Sequence, residues 1–341
     1  MILNFRRGSA YASKKARERL KQLTPNDIKK VTVIRHAAIG DFMVMRPFLI
    51  EIKKYFPNAF ITLSVDKNAM YGLPYDLVDD VHIMHKNHPE DKSKKTSLFF
   101  RIKEAKKLPP QDIIFDLTDS SMTLLLIFVA KAKLKVGYPY RWIRKLFYDL
   151  AVHRSDFVYE AESIMHQLNF LGSRAIAPFD FGFKDKYPKN LTKRIVYFAG
   201  ASTKAKCWEE EKFQKLIELL SNRYDSYEHI ILQGINEDEK FLNIYETLSD
   251  KKNINIKEPM ELDEVMQYLA NSSLVISNDT GIRNMAIAVD TPTIGIFFNT
   301  GAFRYWPRDG RHECVFNENY TSPSVEDVYE STIKLMDKIY E

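Results

Sequence analysis

The chain has 341 residues, 45% of them hydrophobic and 28% charged, with a formal net charge of +5. That length allows two domains, each with its own core, and the ordinary composition excludes both a disordered chain and a membrane-embedded one. The two cysteines, Cys207 and Cys314, offer neither a disulfide framework nor metal-ligand spacing, so a reduced, cytoplasmic setting is expected.

At the N-terminus, Arg6 and Arg7 lead directly into a charged segment, so no apolar core of signal-peptide length is visible. The longest apolar run, residues 124–130, is far short of the roughly 20 residues that span a bilayer. Residues 1–172 hold 29 Lys and Arg against 18 Asp and Glu, a charge of +11, whereas residues 173–341 hold 21 against 27, a charge of −6. The first half is therefore expected to face an anionic partner. Nucleic acid is one reading, but the basic residues are spread without a nucleic-acid motif, and an acidic lipid or sugar fits as well.

In chain order, residues 10–23 place Ala12, Ala16, Leu20 and Leu23 at roughly helical spacing among Lys and Arg. The apolar face is thin and alanine-rich, which favours a solvated helix packed on its domain over a membrane-surface anchor. Strands are expected at residues 31–34, 60–65, 81–84 and 112–116, with helical stretches between several of them and a charged surface loop at residues 88–95. Residues 178–191 mix Pro, Gly, Lys and Asp without amphipathic period and should contain the interdomain linker. The second half repeats the alternation: strands at 195–198, 230–232, 274–276 and 293–297, helices near 209–222, 238–248 and 262–270, and a capped terminal helix from Ser324. This is an α/β fold of two doubly wound, Rossmann-like halves.

Two strand–turn–helix passages carry the chemistry. In the second half, Leu274-Val275-Ile276 leads into Ser277-Asn278-Asp279-Thr280-Gly281 and then an apolar-periodic run from Met285. A buried strand, a polar turn and the exposed N–H groups of a new helix make an anion site suited to phosphate. In the first half, the strand at 31–34 leads through Ile39-Gly40-Asp41 into a helix. Taken alone, Asp41 and Asp279 are both readable as helix caps. The run from Tyr138 to Tyr148 interleaves bases and aromatics, fitting either a lipid-headgroup or acidic-sugar contact or a partly buried amphipathic helix.

These residues resemble glycosyltransferase family 9, the ADP-heptose lipopolysaccharide heptosyltransferases. Ile34-Arg35, Ala38-Ile39-Gly40-Asp41, Pro47 and Phe56-Pro57-Asn58-Ala59-Phe60-Ile61-Thr62 are similar to its opening signature. Phe115-Asp116-Leu117 and Val136-Gly137-Tyr138 resemble its middle motifs, and Gly200-Ala201-Ser202 with Lys206-Cys207-Trp208 its phosphate-contacting loop. Leu262-Asp263-Glu264, the 274–281 turn, Ala286, Ala288, Thr291-Pro292-Thr293 and Trp306-Pro307 follow its donor region in order.

The resemblance implies a GT-B architecture, two Rossmann-like domains facing across a cleft. It divides the chain into a basic N-terminal segment (1–30), an acceptor domain (31–178), a nucleotide-sugar domain (191–322) and a terminal helix (323–341) that crosses back to the first domain. It implies Asp41 as general base for an inverting displacement, although a helix N-terminus stabilises the carboxylate and so weakens it as a base. Lys206 would meet the leaving pyrophosphate as the second catalytic residue. Ser202, Thr203, Lys206, Asp279, Thr280, Gly281, Ile282 and Asn284 would bind the donor, with Asp279 turned to a sugar hydroxyl or its own turn rather than to phosphate. Arg35, Gly40, Arg141 and Arg144 would bind the acceptor, and Trp208 reads as core.

Two departures stand out. Asn284 occupies the position where the family usually has a histidine, and Phe297-Phe298-Asn299-Thr300 lacks the glycine and proline of the family's turn. The expected partners are ADP-heptose and an anionic, Kdo-containing lipid at the inner membrane surface, with no nucleic acid, metal or cofactor. A relative using a different nucleotide sugar, or a non-catalytic nucleotide-sugar-binding protein at the membrane, are the alternative readings.

Overall fold

The computed structural model describes residues 11–87, 93–118, 120–138, 146–236 and 239–340. The chain divides between Asp180 and Phe181 into two compact units. The first contains β1 (Tyr11–Ala12), α1 (Lys14–Lys21), β2 (Lys30–Ile34), α2 (Ile39–Tyr55), β3 (Phe60–Asp66), β4 (Asp80–Met84), α3 (Leu98–Ala105), β5 (Gln111–Asp116), α4 (Ser121–Val129), β6 (Ala132–Gly137), β7 (Leu150–Ala151) and α5 (Glu160–Asn169). The second contains β8 (Arg194–Phe198), α6 (Glu210–Arg223), β9 (Glu228–Leu232), α7 (Leu242–Leu248), β10 (Ile254–Lys257), α8 (Leu262–Ala270), β11 (Leu274–Asn278), α9 (Gly281–Ala288), β12 (Thr293–Ile296), β13 (His312–Val315) and α10 (Val325–Tyr340).

The first sheet runs β1-β7-β6-β5-β2-β3-β4, parallel from β7 to β4 with β1 antiparallel at the edge. Every residue of β5 is buried, as a central parallel strand covered on both faces requires. Alternate residues divide between two apolar layers. Val31, Val33, Ile113 and Phe115 pack with Phe48, Leu49 and Ile52 of α2 and Ile164, Met165 and Leu168 of α5. Ile34 and Ile114 pack on the other face with Leu126 and Ile127 of α4. Burying each such side chain stabilises the fold by roughly 1.5–3 kcal/mol. α1 is the solvated helix expected: Ser13 caps it, and only Ala16 is buried within it.

The second sheet is all parallel, in the order β10-β9-β8-β11-β12-β13. Ile195, Tyr197, Leu274, Ile276, Ile294 and Ile296 form a core with α6 and with Val328, Leu335 and Met336 of α10. The terminal helix, expected to cross back to the first domain, packs here against α6, β12 and β13, because its apolar face belongs to this core. Ser324 caps it: its Oγ accepts from Asp327 N at 3.1 Å and donates to Asp327 Oδ2 at 2.7 Å. Among strands not foreseen, β1, β7, β10 and β13 span two or four residues, too few to display a period.

Candidate active site

Both sheets are wound the same way. The chain lays down β2, β3 and β4 to one side and then returns to place β5, β6 and β7 on the other; β8, β9, β10 and β11, β12, β13 repeat this. The reversals lie between β2 and β5 and between β8 and β11, and the loops leaving the carboxyl ends of such strands are where open α/β sheets bind ligands. Asp41 follows β2, Lys206 follows β8 and Asp279 follows β11.

In the first unit, Asp41 is the third residue of α2, and the cap position is Ala38, which gives no side-chain hydrogen bond. The capping reading of Asp41 therefore fails. Its Oδ1 accepts from Arg35 Nη2 at 2.6 Å, its side chain is 26% exposed, and its other oxygen makes no hydrogen bond among the described residues. Arg35 itself is only 2% exposed. Its Nη1 donates to the Leu117 carbonyl at 2.6 Å, and both Nη atoms reach Glu160 Oε1 at 3.3 Å. Glu160, fully buried at the start of α5, accepts from Arg154 Nε at 2.9 Å and from Arg154 Nη2.

Burial works against the Arg35 charge, but Asp41 and Glu160 outweigh it and hold the guanidinium above its ordinary value, with Arg154 opposing them. Arg35, expected to touch the acceptor, turns its Nη groups to Leu117 O, Glu160 and Asp41. Gly40 is buried in the first turn of α2. Arg141 and Arg144 lie outside the described residues.

The end of β5 closes this loop from the side. Leu117 N donates to Ile34 O at 3.0 Å and His36 N to Thr118 Oγ1 at 2.8 Å. Tyr148 donates to Asp116 Oδ2 at 2.7 Å. Burial, helped by nearby His82, pushes the His36 imidazole down to about 3, so it is neutral at physiological pH.

In the second unit the link is Asn278, the last residue of β11. Its Nδ2 donates to Ala199 O at 2.6 Å, and its Oδ1 accepts from Trp208 N at 3.0 Å, stapling the 199–208 loop across the sheet reversal. That brings Lys206 to Asp279, Nζ to Oδ2 at 2.7 Å, with the side chains 25% and 10% exposed. Asp279 was expected to take a sugar hydroxyl or brace its own turn; here its partner is the lysine. Thr280 is the α9 cap, its Oγ1 accepting from Ile282 N at 3.4 Å, which leaves the hydroxyl hydrogen available to a ligand. Gly281 opens the helix, and Ser202 and Thr203 lie exposed in the stapled loop. Asn284 is buried, with no side-chain hydrogen bond among the described residues. Trp208 is core as expected, donating from Nε1 to Pro323 O at 3.0 Å.

Sequence reasoning missed three polar anchors. Glu160 and Arg154 stand in a stretch without a recognisable pattern, and Arg283 sits between two residues assigned to the donor. Arg283, 1% exposed, donates to the Tyr305 carbonyl and reaches Cys314 Sγ at 3.2 Å, fixing α9 to the loop after β12. Gly295 is needed there, because a β-carbon at that position would collide with the Arg283 side chain. Among the described residues, no three or more His, Cys, Asp or Glu side chains gather as metal ligands.

Comparison with known proteins places this fold. Lipopolysaccharide heptosyltransferase 3 of Escherichia coli K12 is 23% identical over 87% of this chain and 95% of its own length, and lipopolysaccharide heptosyltransferase 1 of Campylobacter coli is 22% identical over 81% and 85%. Among solved structures, E. coli heptosyltransferase WaaC with ADP-2-deoxy-2-fluoro heptose aligns at a TM-score of 0.70 and 17% identity, over 91% of this chain and 99% of that one. A family 9 glycosyl transferase from Veillonella parvula aligns at 0.71 and 17%, over 91% and 98%. At these identities the likeness is one of fold, the two Rossmann-like units of GT-B. That fold reaches further, since the UDP-GlcNAc 2-epimerase of Neisseria meningitidis aligns at 0.53 and 14% over 91% of this chain and 92% of that one. The family pattern is narrower than the fold: residues 101–333, which include the Lys206 and Asp279 loops, match Glycosyltransferase family 9 (heptosyltransferase), and the chain belongs to that family.

Proposed function

We propose that this glycosyltransferase moves heptose from ADP-heptose to an anionic, Kdo-containing inner-core lipid of lipopolysaccharide or lipooligosaccharide, with inversion at the anomeric carbon and without a metal. The observation that carries the reading is the placement of Asp41 and Lys206, each just beyond the carboxyl end of a strand, β2 or β8, that borders its sheet's reversal.

Asp41 keeps one carboxylate oxygen on Arg35 and presents the other to the acceptor hydroxyl. As that hydroxyl attacks the anomeric carbon, the proton passes to the free oxygen. On the donor side the glycosidic C–O bond breaks and negative charge grows on the departing diphosphate. Lys206 releases Asp279 and meets that charge, together with the α9 N–H groups and the Thr280 hydroxyl. Asp279, freed of the lysine, accepts from a sugar hydroxyl. The +11 charge of residues 1–172 suits the acidic acceptor, and the protein acts peripherally at the cytoplasmic face of the inner membrane. Among the described residues, no helix is long and apolar enough to cross a membrane.

A second reading, transfer from another nucleotide sugar, is favoured by one observation. Asn284 is buried in α9 where the family's histidine would stand, and it can hydrogen-bond but carries no charge. Calorimetric titration with ADP, UDP and GDP in metal-free buffer separates the two. Selective ADP binding that weakens in Lys206→Ala supports the ADP-heptose reading. Preference for UDP or GDP moves the assignment to another donor, and no binding of any of the three contradicts the donor site itself.

A further inference from the structure

Beneath Asp41, two guanidinium groups and two carboxylates alternate in one chain running Asp41, Arg35, Glu160, Arg154. Its Asp41 end is the most exposed, the Asp41 side chain being 26% exposed against 3% for Arg35, 0% for Glu160 and 10% for Arg154. A full interior ion chain is a costly way to fill space, since an apolar cluster of equal volume does so without desolvating charge. Its geometry is also uneven. A guanidinium and a carboxylate left to themselves tend to pair as a fork, with two parallel N–H···O bonds. Here Arg35 gives Asp41 a single bond, while Leu117 O and Glu160 Oε1 take its remaining terminal N–H groups.

We propose that Glu160, clamped by Arg154, is a positioning residue for sugar transfer: it holds Arg35 off the fork, so that one oxygen of Asp41 stays free to take the acceptor's proton. The proposal rests on Asp41 being the base. Without the Glu160 charge, Arg35 turns both Nη atoms to Asp41 and loses one of the two carboxylates that share its charge, which leaves Asp41 a poorer proton acceptor. Tyr138 lies against Arg154, whose guanidinium is 5.6 Å from its ring centre, and acts on Arg35 in the same sense as the two carboxylates but last in strength. His36, the next residue, is neutral.

The test is steady-state kinetics with ADP-heptose and a Kdo-containing lipid acceptor across a pH series, on wild type, Glu160→Gln, Glu160→Asp and Asp41→Asn. In Glu160→Gln, kcat should fall by roughly 10–100-fold with the donor KM unchanged, and the acidic limb of the rate profile should move to lower pH. Glu160→Asp restores the charge on a shorter stem and should recover part of both. A role in packing alone predicts the reverse order, because Gln preserves the shape of Glu and Asp does not.

Wild-type kcat and an unmoved acidic limb in Glu160→Gln, with Asp41→Asn inactive, would overturn this proposal and leave the function intact. Wild-type turnover in Asp41→Asn would instead overturn the assignment of the base. If Glu160→Gln does not fold, Arg154→Lys decides: it keeps the charge but loses the two-point clamp, so a several-fold fall in kcat at constant donor KM is expected, and unchanged kcat contradicts the proposal.

Discussion

The loops after β2 and after β8 occupy the same place in two similarly wound sheets but are held differently. The first adds a chain of charge to its neutral His36–Thr118 bond: Asp41 is tied to Arg35, Arg35 to Glu160, and Glu160 to Arg154, with Asp41 the most exposed member. The second is fixed by neutral hydrogen bonds between Asn278 and backbone, and its Lys206–Asp279 ion pair is partly exposed. A base must stay within hydrogen-bond reach of one proton, so rigid anchoring serves it. A cation that answers charge appearing on a leaving diphosphate must be able to change partner, and a solvent-touching pair with a flexible lysine allows that.

The contrast can be broken from either side. Asp41→Asn keeps the shape but removes the proton acceptor, and transfer should fall by about 10²–10⁴-fold while ADP binding, measured by calorimetry, stays within a few-fold of wild type. Lys206→Ala should lower kcat/KM by about 10²–10³-fold and weaken ADP as well; equal ADP affinity in wild type and variant would remove Lys206 from the donor side.

Asn278→Ala acts on stability first. It leaves the Ala199 carbonyl and the Trp208 N–H without their partner, and should cost about 2–4 kcal/mol in denaturant unfolding. The last effect, seen only in acid, concerns His36. Its folded value of about 3 lies below the ordinary 6.5, so the unfolded chain takes up the proton first as pH falls. The stability it contributes is complete above about 6.5 and declines toward pH 3, at up to about 1.4 kcal/mol per pH unit. His36→Phe should flatten that part of the stability profile, and an unchanged slope would mean that other groups dominate it.

What the sequence revealed followed signal strength. The strands at 31–34, 60–65, 112–116 and 195–198 were legible because parallel strands buried on both faces read as β-branched runs, and they lie within β2, β3, β5 and β8. The helix at 262–270 coincides with α8. The α9 turn was legible as strand, polar turn and helix, including its N–H groups. The sequence did not show which residue held which. Asp41 looked like a cap, yet the cap is Ala38 and the carboxylate faces Arg35. Glu160 lies 125 positions from Arg35, and Asn278 lies 70 from Trp208. Pairings of that kind have no period and no local spacing, so only the folded sheet discloses them.

The account stands most directly on the anomeric carbon. Proton NMR of the wild-type enzyme with ADP-heptose and a Kdo-containing lipid acceptor follows the donor's anomeric signal as it is replaced by the product's. A single displacement assisted by Asp41 predicts a product of opposite anomeric configuration, lost together with activity in Asp41→Asn. A product of retained configuration, or inverted product formed at the wild-type rate without the Asp41 carboxylate, would contradict it.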